Sequence, residues 1–475
     1  MKITTALLGA ISMIGLNACA DEPTLRDNPP SLDETRALAI TTDGRLLAID
    51  PLGTEHETLP LMGEFSDILA APVTAGKRMA LALSERDGDE SRARLIILDE
   101  NLEVVSEHQP PLEANACLHS MPGVHPLDDQ GERFVALCGQ SSAERTHAVI
   151  FGAELVVVEL PAGAYVGRPI AAAPTLLPLI TIEYPILRLS VIDTRTGEVT
   201  ETGAAELGVL QLLRELPQSE DGLVYLADKV RVNGIFVWRL YVLDALGGHV
   251  AQTFEGSGEL IHSVDWHREP ELRDGRVILT TAGGLVAVDV ETGDAISVED
   301  NDWPILRGVS PDGRYALRVF ADRLVRDDLE TSAQLTLDSS PNAPWYQPPG
   351  DCVIAVDTLR FSPAGDTVLL SNHSDSVYQA CPGAEGYIPL GGAPAMLVGF
   401  DELQPIAAFD HVGKHAPRYA PDGSALVYIS KEAEDCGHVN LHFLTDEAPV
   451  QTSVANECFL DARIEWLRLP VQAPE

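Results

Sequence analysis

The side chains best suited to bind metal or attack a substrate are thirteen histidines and seven cysteines in a chain of 475 residues. The tightest histidine group is His262-Ser263-Val264-Asp265-Trp266-His267, which offers two imidazoles and a carboxylate over a short stretch. Those donor types suit zinc or a similar ion. An irregular loop leading into a strand explains the same residues, and no metal is assigned to His262, Asp265 and His267. His438 and His442 would share one face of a strand but stand about 13 Å apart at ~3.3 Å per residue, too far to chelate one ion. His411 and His415 flank Gly413 in a loop-like segment. The densest acidic stretch, Glu85-Arg86-Asp87-Gly88-Asp89-Glu90, lacks the alternating oxygen ligands and closing glutamate of an EF-hand loop. It reads as an acidic hairpin tip. No GxSxG elbow, GxGxxG fingerprint or phosphate-binding loop occurs. Catalytic residues are therefore assigned to none.

Aromatic side chains point elsewhere. Residues 339–351 (SSPNAPWYQPPGD) and 371–394 (SNHSDSVYQACPGAEGYIPLGGAP) are long, rich in Pro and Gly, and carry Trp345, Tyr346, Tyr378 and Tyr387. Loops on a rigid scaffold commonly carry binding, and Trp and Tyr make good anchors. These four residues are the candidate binding rim.

The elements that would hold such loops are strands. Four stretches share one pattern: GVSPDGRYALRVF (308–320), RFSPAGDTVLLSN (360–372), RYAPDGSALVYIS (418–430) and APVTAGKRMALAL (71–83). Each has an apolar strand, a turn with glycine, then a second strand, and glycine supplies the positive φ of a tight hairpin. A second hairpin follows, in which a strand ends in aspartate before a turn and an outer strand. Examples are 189–202, 240–254 and 285–299. No long segment keeps a helical apolar period. Two hairpins recurring every few tens of residues predict an all-β fold, a single β-propeller of four-stranded blades. First-hairpin turns fall near Gly76, Gly131, the 177–181 region, Gly222, Gly275, Gly313, Gly365 and Gly423. This predicts eight blades, with seven or nine as alternatives. Residues 37–59 look like a blade lacking its first strand and 462–470 like a lone strand, so the two ends are expected to join and hide the ring's edges.

The SPDG-type hairpin followed by an aspartate-ending strand resembles the propellers of TolB and related WD-like repeat families, over residues 37–470. The resemblance implies the fold and says little about activity. TolB carries a small α/β domain before its propeller that has no counterpart here, so its partners are not carried over. The quinone-dependent propellers place a tryptophan near each blade's end. Leu285–Glu299 has none, and that cofactor is not expected. Calcium held by carboxylates converging in the central channel is the one cofactor left open.

The first residues suggest where the protein works. Met1 and Lys2 precede a short apolar run that ends in Leu16-Asn17-Ala18-Cys19. That tetrapeptide resembles the lipobox of bacterial lipoproteins, with Asn17 departing from the usual small residue. The resemblance implies a signal peptide over 1–18, cleavage before Cys19 and lipidation of Cys19. More than one acyl chain on that residue would give stable membrane anchoring. Ala20, where aspartate would favour the inner membrane, implies the outer membrane. Residues 19–36 are acidic and Pro-rich and read as an extended tether, 37–470 as the propeller, and 471–475 as a disordered tail.

Once Cys19 is set aside, six cysteines remain, an even number that suits disulfides in an exported protein. Nearness in sequence pairs Cys117 with Cys138, Cys352 with Cys381, and Cys436 with Cys458. The net charge of −40, from 72 acidic and 32 basic residues, excludes nucleic acid as a partner. Together these readings predict a non-enzymatic, lipid-anchored module of the cell envelope that binds a protein or glycan partner or acts as a scaffold. The alternative is a propeller hydrolase or lactonase with a metal site in the channel.

Overall fold

A computed structural model describes residues 34–469, apart from 54–55, 112–122, 142–143, 162–163, 171–172, 184–185, 207–217, 220–221, 261–270, 274, 300–305, 321–322, 332, 339–357, 372–392, 413–416, 434–435, 445–449, 455–456 and 461–462. Alternation of apolar residues sets the architecture. Ala37 and Ala39 pack to one side of their strand while Leu38 and Ile40 pack to the other. A strand buried on both faces must be covered by two neighbouring sheets. Applied to every sheet, this condition closes a ring. Nine hydrophobic clusters fill the spaces between nine successive sheets, the last lying between the final sheet and the first.

Each sheet is a blade, and the blades are numbered here in chain order. Blade 2 is typical, with strands Glu64–Ala75, Arg78–Asp87, Glu90–Leu98 and Val104–His108 hydrogen-bonded in sequence order. Blades 3, 4, 6 and 7 repeat this order, beginning at Val124–Pro126, Ala164–Val166, Glu271–Arg273 and Leu306–Val309. Blade 5 has three strands (Leu223–Val232, Ile235–Asp244 and His249–Ser257), with an isolated bridge from Gln218 to Val224 in the first-strand position. Blade 8 starts at Thr358–Phe361 and blade 9 at Arg418–Tyr419. Blade 1 joins both ends of the chain: Glu465–Arg468 pairs with Thr35–Ile40, followed by Leu46–Ile49 and His56–Thr58. First strands meet between blades 1 and 2, 2 and 3, 7 and 8, and 9 and 1, which places the first strands around the central channel. Last strands such as Val104–His108 and Gln334–Asp338 face outward and alternate in exposure.

The fold is a nine-bladed β-propeller, with the joined termini forming the blade beyond the eight hairpin units. Seven of the eight expected turns carry their glycine, and all seven, Gly76, Gly131, Gly222, Gly275, Gly313, Gly365 and Gly423, have positive φ. The turn expected at 177–181 is instead the strand Leu176–Glu183, paired along its length with Ile186–Asp193. Its interior is buried on both faces, so it reads as an unbroken apolar run without alternation to mark its ends. The turn comes before it, where the Ala173 amide donates to the Ile170 carbonyl at 2.9 Å.

The aspartate that ends many third strands has a local purpose. Asp289 Oδ1 accepts the backbone amides of Glu291 (3.0 Å) and Thr292 (2.8 Å). Asp328 does the same for Glu330 and Thr331, and Asp99 for Asn101 and Glu103. The carboxylate satisfies amides that the turn would leave open. At Asp193, the side-chain bond from Arg195 and the Arg195 amide lower the pKa to about 2.

Candidate functional site

Much of the buried charge serves the blades themselves. In blade 7, Arg318 grips Asp327 with two bonds, Nε to Oδ2 at 2.7 Å and Nη2 to Oδ1 at 2.8 Å, and Gln334 donates to the same carboxylate at 2.6 Å. In blade 2, buried Arg94 pairs with Glu85 at 2.9 Å and Glu107 at 2.6 Å. Both pairs lie within one blade and hold its strands in register.

A different arrangement forms where first strands meet the channel. Blades 8 and 9 carry Arg360-Phe361-Ser362-Pro363-Ala364-Gly365 and Arg418-Tyr419-Ala420-Pro421-Asp422-Gly423 in equivalent positions. The aromatic residue of each faces the preceding blade. Phe361 packs edge-on against Phe400 at 5.2 Å, and Tyr419 joins the blade 8–9 cluster, where its hydroxyl accepts from Thr367 at 3.2 Å. Burial raises the Tyr419 pKa above its usual value. Strand alternation turns the adjoining Arg360 and Arg418 the opposite way.

Arg418 Nε lies 3.2 Å from Oε1 of Glu465, on the first strand of blade 1. Arg463 Nε pairs with the same oxygen, so buried Glu465 is shared by two guanidiniums. Arg463 also donates its backbone amide to Asp67 Oδ1 of blade 2 at 3.0 Å, and Nη1 to the Leu69 carbonyl at 3.2 Å. Arg360 is partly buried, and among the described residues it has no hydrogen bond or ion pair. Desolvation lowers its pKa, Glu465 opposes that shift, and Arg463 adds to it. Side chains from blades 9 and 1 thus meet at Glu465, beside Asp67 and Leu69 of blade 2.

Guanidinium groups stay charged and present planar forks of donors that match carboxylates. The cluster is therefore chemically suited to recognising a negative charge. Sequence reasoning passed over these arginines, although two of the four aligned repeat stretches begin with Arg360 and Arg418.

The residues singled out from sequence fare unevenly. His262, Asp265 and His267 lie outside the described residues, as do Trp345, Tyr346, Tyr378, Tyr387, Cys352, Cys381, Cys117 and Cys19. Cys436 and Cys458 form the expected disulfide, with Cα atoms 5.0 Å apart. Cys138 is also disulfide-bonded. His438 and His442 share the strand Cys436–Phe443, and the acidic stretch forms a hairpin tip where Asp87 pairs with Arg92 at 3.0 Å.

No protein-family model matches the chain, and no curated protein matches it. Among solved structures, a eukaryotic initiation factor aligns with TM-score 0.55 and 10% identity, covering 92% of this chain and 99% of that one. BamB from Moraxella catarrhalis aligns with TM-score 0.41 and 14% identity, covering 83% and 96%. A putative 6-phosphogluconolactonase from Bacteroides fragilis gives TM-score 0.35 and 12% identity, covering 92% and 99%. At such identities the likeness concerns the fold alone.

Proposed function

We propose that this chain is a binding module of the cell envelope, anchored by lipid on Cys19 and directed at a protein or glycan partner. The observation that carries the reading is the convergence of Arg418 and Arg463 on one oxygen of buried Glu465, on the first strand of blade 1. Guanidiniums bind and orient charge, whereas groups that titrate near neutral pH are the usual carriers of protons in catalysis. The closed ring holds Arg418 and Glu465 on strands, which favours a fixed recognition geometry. The Leu16-Asn17-Ala18-Cys19 tetrapeptide supports the anchor, and Ala20 after it the outer membrane as the site of work. The Cys436–Cys458 disulfide supports an oxidising compartment.

Fractionating cells that express the wild type and Cys19→Ala tests the reading. The wild type is expected with the outer membrane, and the variant in the soluble fraction with its ring intact. A variant that still sediments with membranes overturns the anchor. Stoichiometric divalent metal retained through dialysis, together with a hydrolytic activity lost on chelation, overturns the binding role.

A further inference from the structure

We infer that the Cys436–Cys458 disulfide is an exchange site for a dithiol reductant, and that its reduction loosens the strand that closes the ring. The bond spans the seam between the last blade and the first. Cys436 opens the third strand of blade 9, Cys436–Phe443, and Cys458 lies on the segment leading to Glu465–Arg468 of blade 1. The Cys458 carbonyl accepts the Thr42 amide of blade 1 at 2.9 Å, and the Leu460 amide donates to the Ile40 carbonyl at 2.8 Å. Glu457, just before Cys458, pairs with Arg45 of blade 1 at 3.1 Å. Buried Phe459 exchanges two backbone bonds with Gly437, beside Cys436. The covalent bond and these contacts act on one short stretch, residues 457–460.

Access decides which disulfide exchanges, and exposed ones are the labile class. Cys458 is exposed and Cys436 partly buried. Cys138, also disulfide-bonded, is wholly buried in the cluster between blades 2 and 3. A thiolate of the dithiol attacks Cys458 Sγ, the S–S bond breaks, and Cys436 leaves as a thiolate that takes up a proton. The second thiol then displaces Cys458 from the mixed disulfide. The protein gains two electrons and two protons, and the dithiol becomes a disulfide. Reduction removes the constraint on a loop of 22 residues and leaves residues 457–460 held by hydrogen bonds and the Phe459 ring. The segment that follows carries Arg463 and Glu465, so its loosening also loosens their pairing with Arg418 in the channel. The exchange acts on the ring whether or not the channel binds a partner.

Titrating the full-length oxidised protein with dithiothreitol, quenching with iodoacetamide and mapping the labelled peptides tests the exchange site. Cys436 and Cys458 are expected to label together in the folded protein while Cys138 is still protected. Labelling of the pair no earlier than Cys138, or only in denaturant, overturns the site. Hydrogen exchange on the same samples tests the latch. Reduction should speed exchange in Thr35–Ile40, which pairs with the closing strand, by about a hundred-fold, the scale of constraint a disulfide of this loop size imposes. The strand Arg276–Thr281 of blade 6 should keep its rates.

Cys458→Ser should show the fast exchange without reductant and no further response to dithiothreitol, which assigns the effect to this bond rather than to that of Cys138. Reoxidising the reduced wild type with oxidised glutathione needs no variant and should restore the slow exchange. Unchanged exchange at Thr35–Ile40 after complete reduction, an equal rise in blade 6, or exchange that stays fast on reoxidation overturns the latch. None of these outcomes involves Cys19 or a bound partner, so the binding role stands or falls on its own test.

Discussion

His442 shows what the ring does to a single titratable side chain. It is 6% exposed, its ring stands edge-on to Phe409 at 4.7 Å, and neither ring nitrogen has a hydrogen-bond partner among the described residues. Burial lowers its pKa from the ordinary value of 6.5. The fold therefore holds the neutral form, while the unfolded chain takes up the proton more readily. Stability from this group is complete above about pH 6.5 and is lost as pH falls through the folded-state value, at up to about 1.4 kcal/mol per pH unit. His442→Leu should resist acid better than the wild type, with the gap in urea midpoint widening from pH 7.5 to 5.5. A gap that stays constant across that range would refute the assignment. The spacing of His438 and His442 on one strand face was legible in VNLHFL. The covering of one by Phe409, from a different blade, was not, because it depends on which blades are neighbours.

At the scale of elements, the ring depends most on its closing strand. Glu465–Arg468 enters blade 1 beside Thr35–Ile40, and Trp466 fills the blade 9–1 cluster while its indole donates to the Arg418 carbonyl at 3.0 Å. The Cys436–Cys458 disulfide tethers the segment that leads there, and Phe459 bridges to Gly437 beside it. Truncating Trp466 to Ala removes a large buried ring and a hydrogen bond, so a loss of about 3–5 kcal/mol is expected by chemical denaturation. Hydrogen exchange should accelerate first at Ala37 and Leu38, the partners of this strand. If the loss is no greater than for Val199→Ala on an exposed outer strand, the closing strand does not hold the ring. Strand pairs of this kind were readable from sequence wherever a turn glycine with positive φ separated alternating residues. The Leu176–Glu183 strand escaped that reading because both its faces are buried. The terminal strands were recognised as partners since each looked incomplete alone, but whether they added a blade could not be counted from hairpin turns.

For the whole molecule, fold and candidate site differ in how far local sequence determines them. A blade repeats within a few tens of residues, so its pattern is local. The arginine cluster draws Arg418 and Arg463 from two different blades to Glu465, and its meaning appears only once the ring closes. Net charge is the one global property that sequence states outright, at −40. Closing the ring brings those like charges nearer than they stand in the unfolded chain, and their repulsion opposes folding. Salt should relieve it, since the Debye length shrinks from about 30 Å at 0.01 M to about 3 Å at 1 M. The same salt weakens exposed pairs such as Arg188–Glu201 and Arg195–Asp193, but pairs so open to water contribute little to stability. Buried pairs such as Arg318–Asp327 are screened far less. Repulsion should therefore dominate, and the melting temperature should rise by a few degrees between 10 mM and 0.5 M sodium chloride. Chloride seated on the channel arginines could produce a similar rise, so the scan is repeated with Arg360→Gln. An equal rise in that variant assigns the effect to overall charge; a rise confined to the wild type assigns it to the channel.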